Sequence, residues 1–78
     1  MLPTPELVHQ YIADNLQCDH LEVQGDGSHF EAVIVSPEFE GLNRIQRHQR
    51  VYKALGNRMH SEIHALSMRT LTPDEYKG

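Results

Sequence analysis

A small two-layer α+β sandwich, ordered α-β-β-α-β with a three-stranded sheet and its helices on one face, is the fold class this sequence predicts. Three observations carry it. Apolar residues recur at helical spacing in residues 5–16 and again in 43–59. Alternating or continuously apolar runs mark residues 20–24, 28–36 and 63–71. The strand-like runs come as a pair, then one alone after the second helix. Seventy-eight residues leave room for one core, so residues 1–78 read as a single domain.

The elements follow in order. Thr4 caps the first helix, Pro5 fits its first position and Glu6 favours its positive end. Leu7, Val8, Tyr11, Ile12 and Leu16 then keep helical spacing. Leu21 and Val23 share one face of the first strand, and Gly25-Asp26-Gly27 turns the chain into the second. That hairpin is antiparallel, and Ala32-Val33-Ile34-Val35, apolar on both faces, suits the centre of the sheet. Pro37 ends the strand. In the second helix Leu42, Ile45, Tyr52, Leu55 and Met59 share an arc, leaving Arg44, Arg47, Arg50 and Lys53 on the opposite, solvent side. Gly56-Asn57 weakens this helix near its end. Residues 63–71 form the third strand, and Thr72-Pro73-Asp74-Glu75 repeats the capping chemistry with room for a turn at most.

Composition narrows the function classes. Hydrophobic residues at 38% and charged residues at 23% describe an ordinary globular chain. The longest strongly apolar run, Ala32 to Val35, is far short of the ~18 residues of a membrane span. Met1 to Glu6 lacks the positive charge and apolar core of a secretory signal, so a cytoplasmic protein is expected. Cys18 is the only cysteine, which excludes an internal disulfide and a Cys-rich zinc site. The core alone must hold so small a domain, which argues against a large catalytic cavity. There is no Gly-rich phosphate loop and no nucleophile elbow, so no enzymatic activity is expected.

The net charge of −4 is unevenly spread. Up to Glu40 there are eight acidic residues and no Lys or Arg; residues 41–60 hold five basic residues and no acid. The stripe Arg44, Arg47, Arg50 and Lys53 has three readings: a solvated helix face, a surface for an acidic partner, or a contact for nucleic-acid phosphates. Six histidines add groups that titrate near neutrality and ligate metals.

Several blocks carry a family resemblance. Gly25-Asp26-Gly27-Ser28-His29-Phe30-Glu31-Ala32-Val33-Ile34-Val35-Ser36 resembles the hairpin of the BolA family. Phe39-Glu40-Gly41, Arg47-His48-Gln49 with Val51-Tyr52, Ile63-His64-Ala65-Leu66 and Thr70-Leu71-Thr72-Pro73 follow in the family's order and spacing. The hairpin is most similar to the bacterial acid-stress branch called IbaG. The resemblance implies a fold similar to the class II KH domain. It also implies a monothiol glutaredoxin as partner, with a [2Fe–2S] cluster bridging the two proteins. The partner supplies a cysteine and a glutathione thiolate, and this chain supplies a histidine. Some members are described as transcription regulators that contact DNA, which gives the alternative function: a regulator using the basic helix 43–59. A KH domain's Gly-x-x-Gly clamp on the nucleic-acid backbone is missing, so direct RNA reading is not expected.

The resemblance assigns His64 as the principal cluster ligand. A neutral imidazole suits iron, raises the potential of the cluster and can be protonated away. Many members place a second Cys or His in a long loop between the first two strands. Here that loop is Gly25-Asp26-Gly27-Ser28, and His29 is the nearest substitute, the second candidate ligand. Cys18 and His20 form a Cys-x-His pair that reads as incidental, and His48, inside the apolar arc, reads as structural. His9 and His60 read as surface residues. One or two histidines cannot hold a cluster without thiolates, so the isolated protein is expected to be a colourless monomer that forms a heterodimer with its partner.

Overall fold

The computed structural model describes residues 4–26, 28–58 and 65–78. Thr4 caps α1 (Pro5–Asn15), its hydroxyl accepting the Leu7 N–H at 3.2 Å. This helix buries Val8 and Ile12, and Leu16 continues the same face just past its end. β1 (His20–Gly25) and β2 (Phe30–Val35) pair antiparallel, from His20↔Val35 to Gly25↔Phe30. β2 starts at Phe30 rather than at Ser28 because Asp26 claims the residues before it. One oxygen of its carboxylate accepts from Ser28 N, Ser28 Oγ and His29 N, each at 3.0 Å. Those donors, Ser28 first, hold the Asp26 carboxyl below the usual carboxylate range.

β2 is the central strand, as its two-sided apolar character predicts. Phe30, Ala32 and Ile34 face the helices, and Val35 is buried from the other side. The Ser36 hydroxyl accepts from Glu38 N and opens a 3-10 turn (Pro37–Phe39) that buries Phe39. Asn43 then caps α2 (Arg44–Leu55) in a reciprocal box with Gln46. The helix ends at Leu55, short of the expected 59, because Gly56 takes a φ of +61° and breaks the helical path.

The expected apolar arc of α2 is corrected. Ile45 is 69% exposed and Tyr52 39%, while Val51, Ala54 and Leu55 are buried. The buried face is thus centred on residues 51, 54 and 55, with Arg47 and Arg50 one turn before Val51 and Ala54. Those two arginines lie along the core-facing side instead of on the solvent side. Their aliphatic stems cover apolar surface, and their head groups reach acceptors at its rim.

β3 (Leu66–Leu71) lies parallel to β2, from Phe30↔Leu66 to Val35↔Leu71, and forms the other edge of the sheet. Ile63 and His64, expected to begin this strand, lie outside the described residues, as do Gly27, Met59 and His60. The chain closes with α3 (Pro73–Lys77), longer than the expected single turn, because Thr72 and Glu75 complete a second capping box. α1 and α2 cover one face of the sheet, giving the expected two layers. α3 sits at the end of β3, where Tyr76 stacks on His20 of the opposite face at 5.0 Å between ring centroids.

Candidate functional site

His29 occupies the junction between the hairpin turn and β2. Asp26 fixes its backbone from both sides, accepting the His29 N–H at 3.0 Å and donating its own N–H to the His29 carbonyl at 3.2 Å. Gly25 makes this close approach possible, since a Cβ there would meet His29 O at 2.5 Å and the Phe30 ring at 2.7 Å. The exposed imidazole therefore projects from a rigid base, with Nε2 at 3.3 Å from the Ser67 hydroxyl of β3. Nδ1 has no partner among the described residues. His29 thus reaches from the start of β2 across to β3. His64 itself lies outside the described residues, three positions before Ser67 in the chain.

Cys18 cannot complete a site with His29. The two sit at opposite ends of the hairpin, separated by the length of β1, about 17 Å at ~3.4 Å per residue. Cys18 is half-buried, donates to the Leu16 carbonyl at 3.4 Å, and has its thiol pushed up by burial and then by Glu38 and Asp19. A thiol held protonated is a poor metal ligand. His20 is turned elsewhere, its Nε2 at 2.7 Å from Glu22 and its ring against Tyr76. Among the described residues no group of three or more His, Cys, Asp or Glu side chains could hold a metal ion.

The basic stripe divides in two. Arg44 and Lys53 are exposed. Arg47 donates to Leu42 O and Thr70 O and forms a bidentate pair with Glu75 at 2.7 and 3.2 Å. Arg50 holds Glu38 at 2.8 Å and donates to Asn15 O, while the same Glu38 accepts Gln17 N at 2.8 Å. Arg50 therefore locks the end of α1 to the 3-10 turn. His48 is half-buried, and burial followed by the Arg44 charge pushes its pKa down. A groove between α2 and β3 adds Arg69, which the sequence reading left unassigned. Its alternation with Ser67 and Leu71 was the available signal, but only the parallel docking of β3 beside α2 makes it matter. No helix among the described residues is long and apolar enough to cross a membrane.

A family model described as BolA-like protein matches residues 7–75. The chain is 43% identical to the DNA-binding transcriptional regulator BolA of Haemophilus influenzae, across 76% of this chain and 57% of that protein. It is 33% identical to the acid stress protein IbaG of Escherichia coli, across 88% of this chain and 83% of that protein. The chain thus spans little more than half the length of the first of these relatives and most of the second. A solved structure of a bolA protein homologue from Coxiella burnetii superimposes with a TM-score of 0.85 at 47% identity, covering 97% of this chain and 99% of that one.

Proposed function

The chain belongs to the BolA family, and from that membership we propose that it is an adaptor that binds a monothiol glutaredoxin and shares a bridging [2Fe–2S] cluster with it. Such an adaptor serves iron–sulfur trafficking or iron and stress sensing. His64 is the principal ligand and His29 the second. The observation that carries this reading is the exposed His29 ring, anchored through Asp26 and reaching Ser67. His64 lies three positions before Ser67, a chain span of at most about 11 Å, which keeps both imidazoles within reach of one centre. The donor set fits a shared cluster better than a self-contained one, since Cys18 is remote from His29 and protonated. When bound, the cluster supplies an iron centre whose histidine ligation is lost on protonation.

Visible circular dichroism tests the proposal. The chain is titrated into a cluster-loaded monothiol glutaredoxin, and a new spectrum is expected to saturate at one-to-one. His64→Ala should abolish or transform that spectrum; His29→Ala should alter it and weaken the complex. An unchanged glutaredoxin spectrum with native chain would overturn the shared cluster, and identical spectra for native protein and both variants would overturn the ligand assignment.

DNA binding is the second reading, favoured by the likeness to the DNA-binding transcriptional regulator BolA of Haemophilus influenzae and by the exposure of Arg44 and Lys53. With Arg47 and Arg50 held by carboxylates, two cations remain on the helix for phosphates. The logarithm of affinity should then fall against log salt with a slope of about −2. No salt-dependent binding to duplex DNA removes this reading.

A further inference from the structure

Between α2 and the outer edge of β3 runs an open groove of about 590 Å³. Leu42, Met68 and Leu71 line it with apolar surface, and Arg44, His48 and Arg69 line it with nitrogen-bearing head groups. The Arg47–Glu75 pair also contributes to its wall. Neither Arg44 nor Arg69 forms an ion pair among the described residues, and both are exposed.

The groove also contains a strand edge. The Leu71 carbonyl accepts from Ser36 N at 3.0 Å, so Leu71 directs its backbone groups toward β2. Alternate residues of a strand point the other way, which turns the backbone groups of Met68 and Thr70 outward into the groove. Arg47 already occupies the Thr70 carbonyl at 3.1 Å. What remains is the Met68 N–H, the Met68 carbonyl and the Thr70 N–H, two donors and one acceptor along an edge.

Alternating backbone donors and acceptors match an extended peptide, which pairs with them as a further strand. A phosphodiester backbone offers acceptors only and has no use for the Met68 carbonyl. Charge then selects among peptides, because two exposed guanidiniums beside the edge attract carboxylates and repel cations. We propose that this groove is the docking site for an extended acidic segment of a partner protein, which adds as a fourth strand along β3 and sets its carboxylates against Arg44 and Arg69. None of the residues lining this groove is a proposed cluster ligand, so peptide docking and cluster ligation can fail independently.

The test is a titration of the isotope-labelled full chain, followed by backbone amide resonances, with an end-blocked octapeptide alternating Glu and Val. Shifts are expected at residues 68–71 and 44–48. Arg44→Glu and Arg69→Glu should each weaken binding about tenfold. N-methylation of alternate peptide amides, which leaves the protein untouched, should abolish binding in the pairing frame. Replacing Glu by Lys throughout the peptide should do the same. Absence of binding up to millimolar peptide overturns the proposal, as does binding that ignores N-methylation or both charge reversals. A single-stranded octathymidylate that binds these residues more tightly than the peptide also overturns it and assigns the groove to nucleic acid.

Discussion

One guanidinium, that of Arg47, joins four parts of the chain: the Leu42 carbonyl before α2, α2 itself, the Thr70 carbonyl in β3 and the Glu75 carboxylate in α3. Its side chain is only 14% exposed, and no lysine could match that fork of donors. Arg47→Ala should cost about 2 kcal/mol in urea unfolding, because it strands two carbonyls and a carboxylate at once. Glu75 carries the pH dependence of this joint. Arg47, helped by Thr72 N, holds its carboxyl down at about 2 from an ordinary value of 4.5. A carboxylate depressed on folding adds stability that is complete above 4.5 and is lost as pH falls toward 2. Glu75→Gln should lower stability at pH 7 and flatten that acid loss, read from unfolding midpoints across pH 2–5. His48 works in a higher window. Burial disfavours its charged form, so the folded state is penalised as pH falls below the ordinary histidine value near 6.5. His48→Gln should remove the part of the decline seen between about pH 6.5 and 5; an unchanged slope would show that His48 does not contribute to it.

At the scale of elements, chemistry close in sequence was legible and chemistry that waits on tertiary contact was not. The capping signals of α1 and α3, the hairpin turn and the central place of β2 all rest on residues within a few positions of one another, and the structure bears them out. The burial arc of α2 was misjudged because Ile45 and Tyr52 count as apolar wherever they point, while long arginine stems can lie on a core-facing side. His29 stood out only through the family pattern; its anchoring by Asp26 and contact with Ser67 require the folded hairpin. The groove beside β3 was illegible, since it arises from the parallel pairing of segments far apart in sequence. The α2 cap gives a prediction at this scale. Asn43 is exposed and its box with Gln46 satisfies donors at the helix start, so Asn43→Ala should cost about 1 kcal/mol. Amide exchange should accelerate most at residues 44–47, with the hairpin amides following only the global change.

For the whole molecule the governing fact is a sheet that, among the described residues, long helices cover on one face only. Ile34 looks into that covered face and is 0% exposed, while its neighbour Val33 looks out through the open one and is only half-buried. A domain of this size, with its one cysteine unpaired, has few kcal/mol in reserve. Ile34→Ala should therefore cost about 2–4 kcal/mol and leave much of the chain unfolded at 37 °C. Val33→Ala should cost about 1 kcal/mol or less, since part of its side chain already meets water. Urea unfolding at low protein concentration separates the two, provided the slope with denaturant stays constant. Equal costs would mean that something covers the open face in solution. A second copy would betray itself by a midpoint that rises with protein concentration, because association adds stability by mass action. A midpoint independent of concentration, with the two costs well apart, is the result that a monomer with one buried face requires.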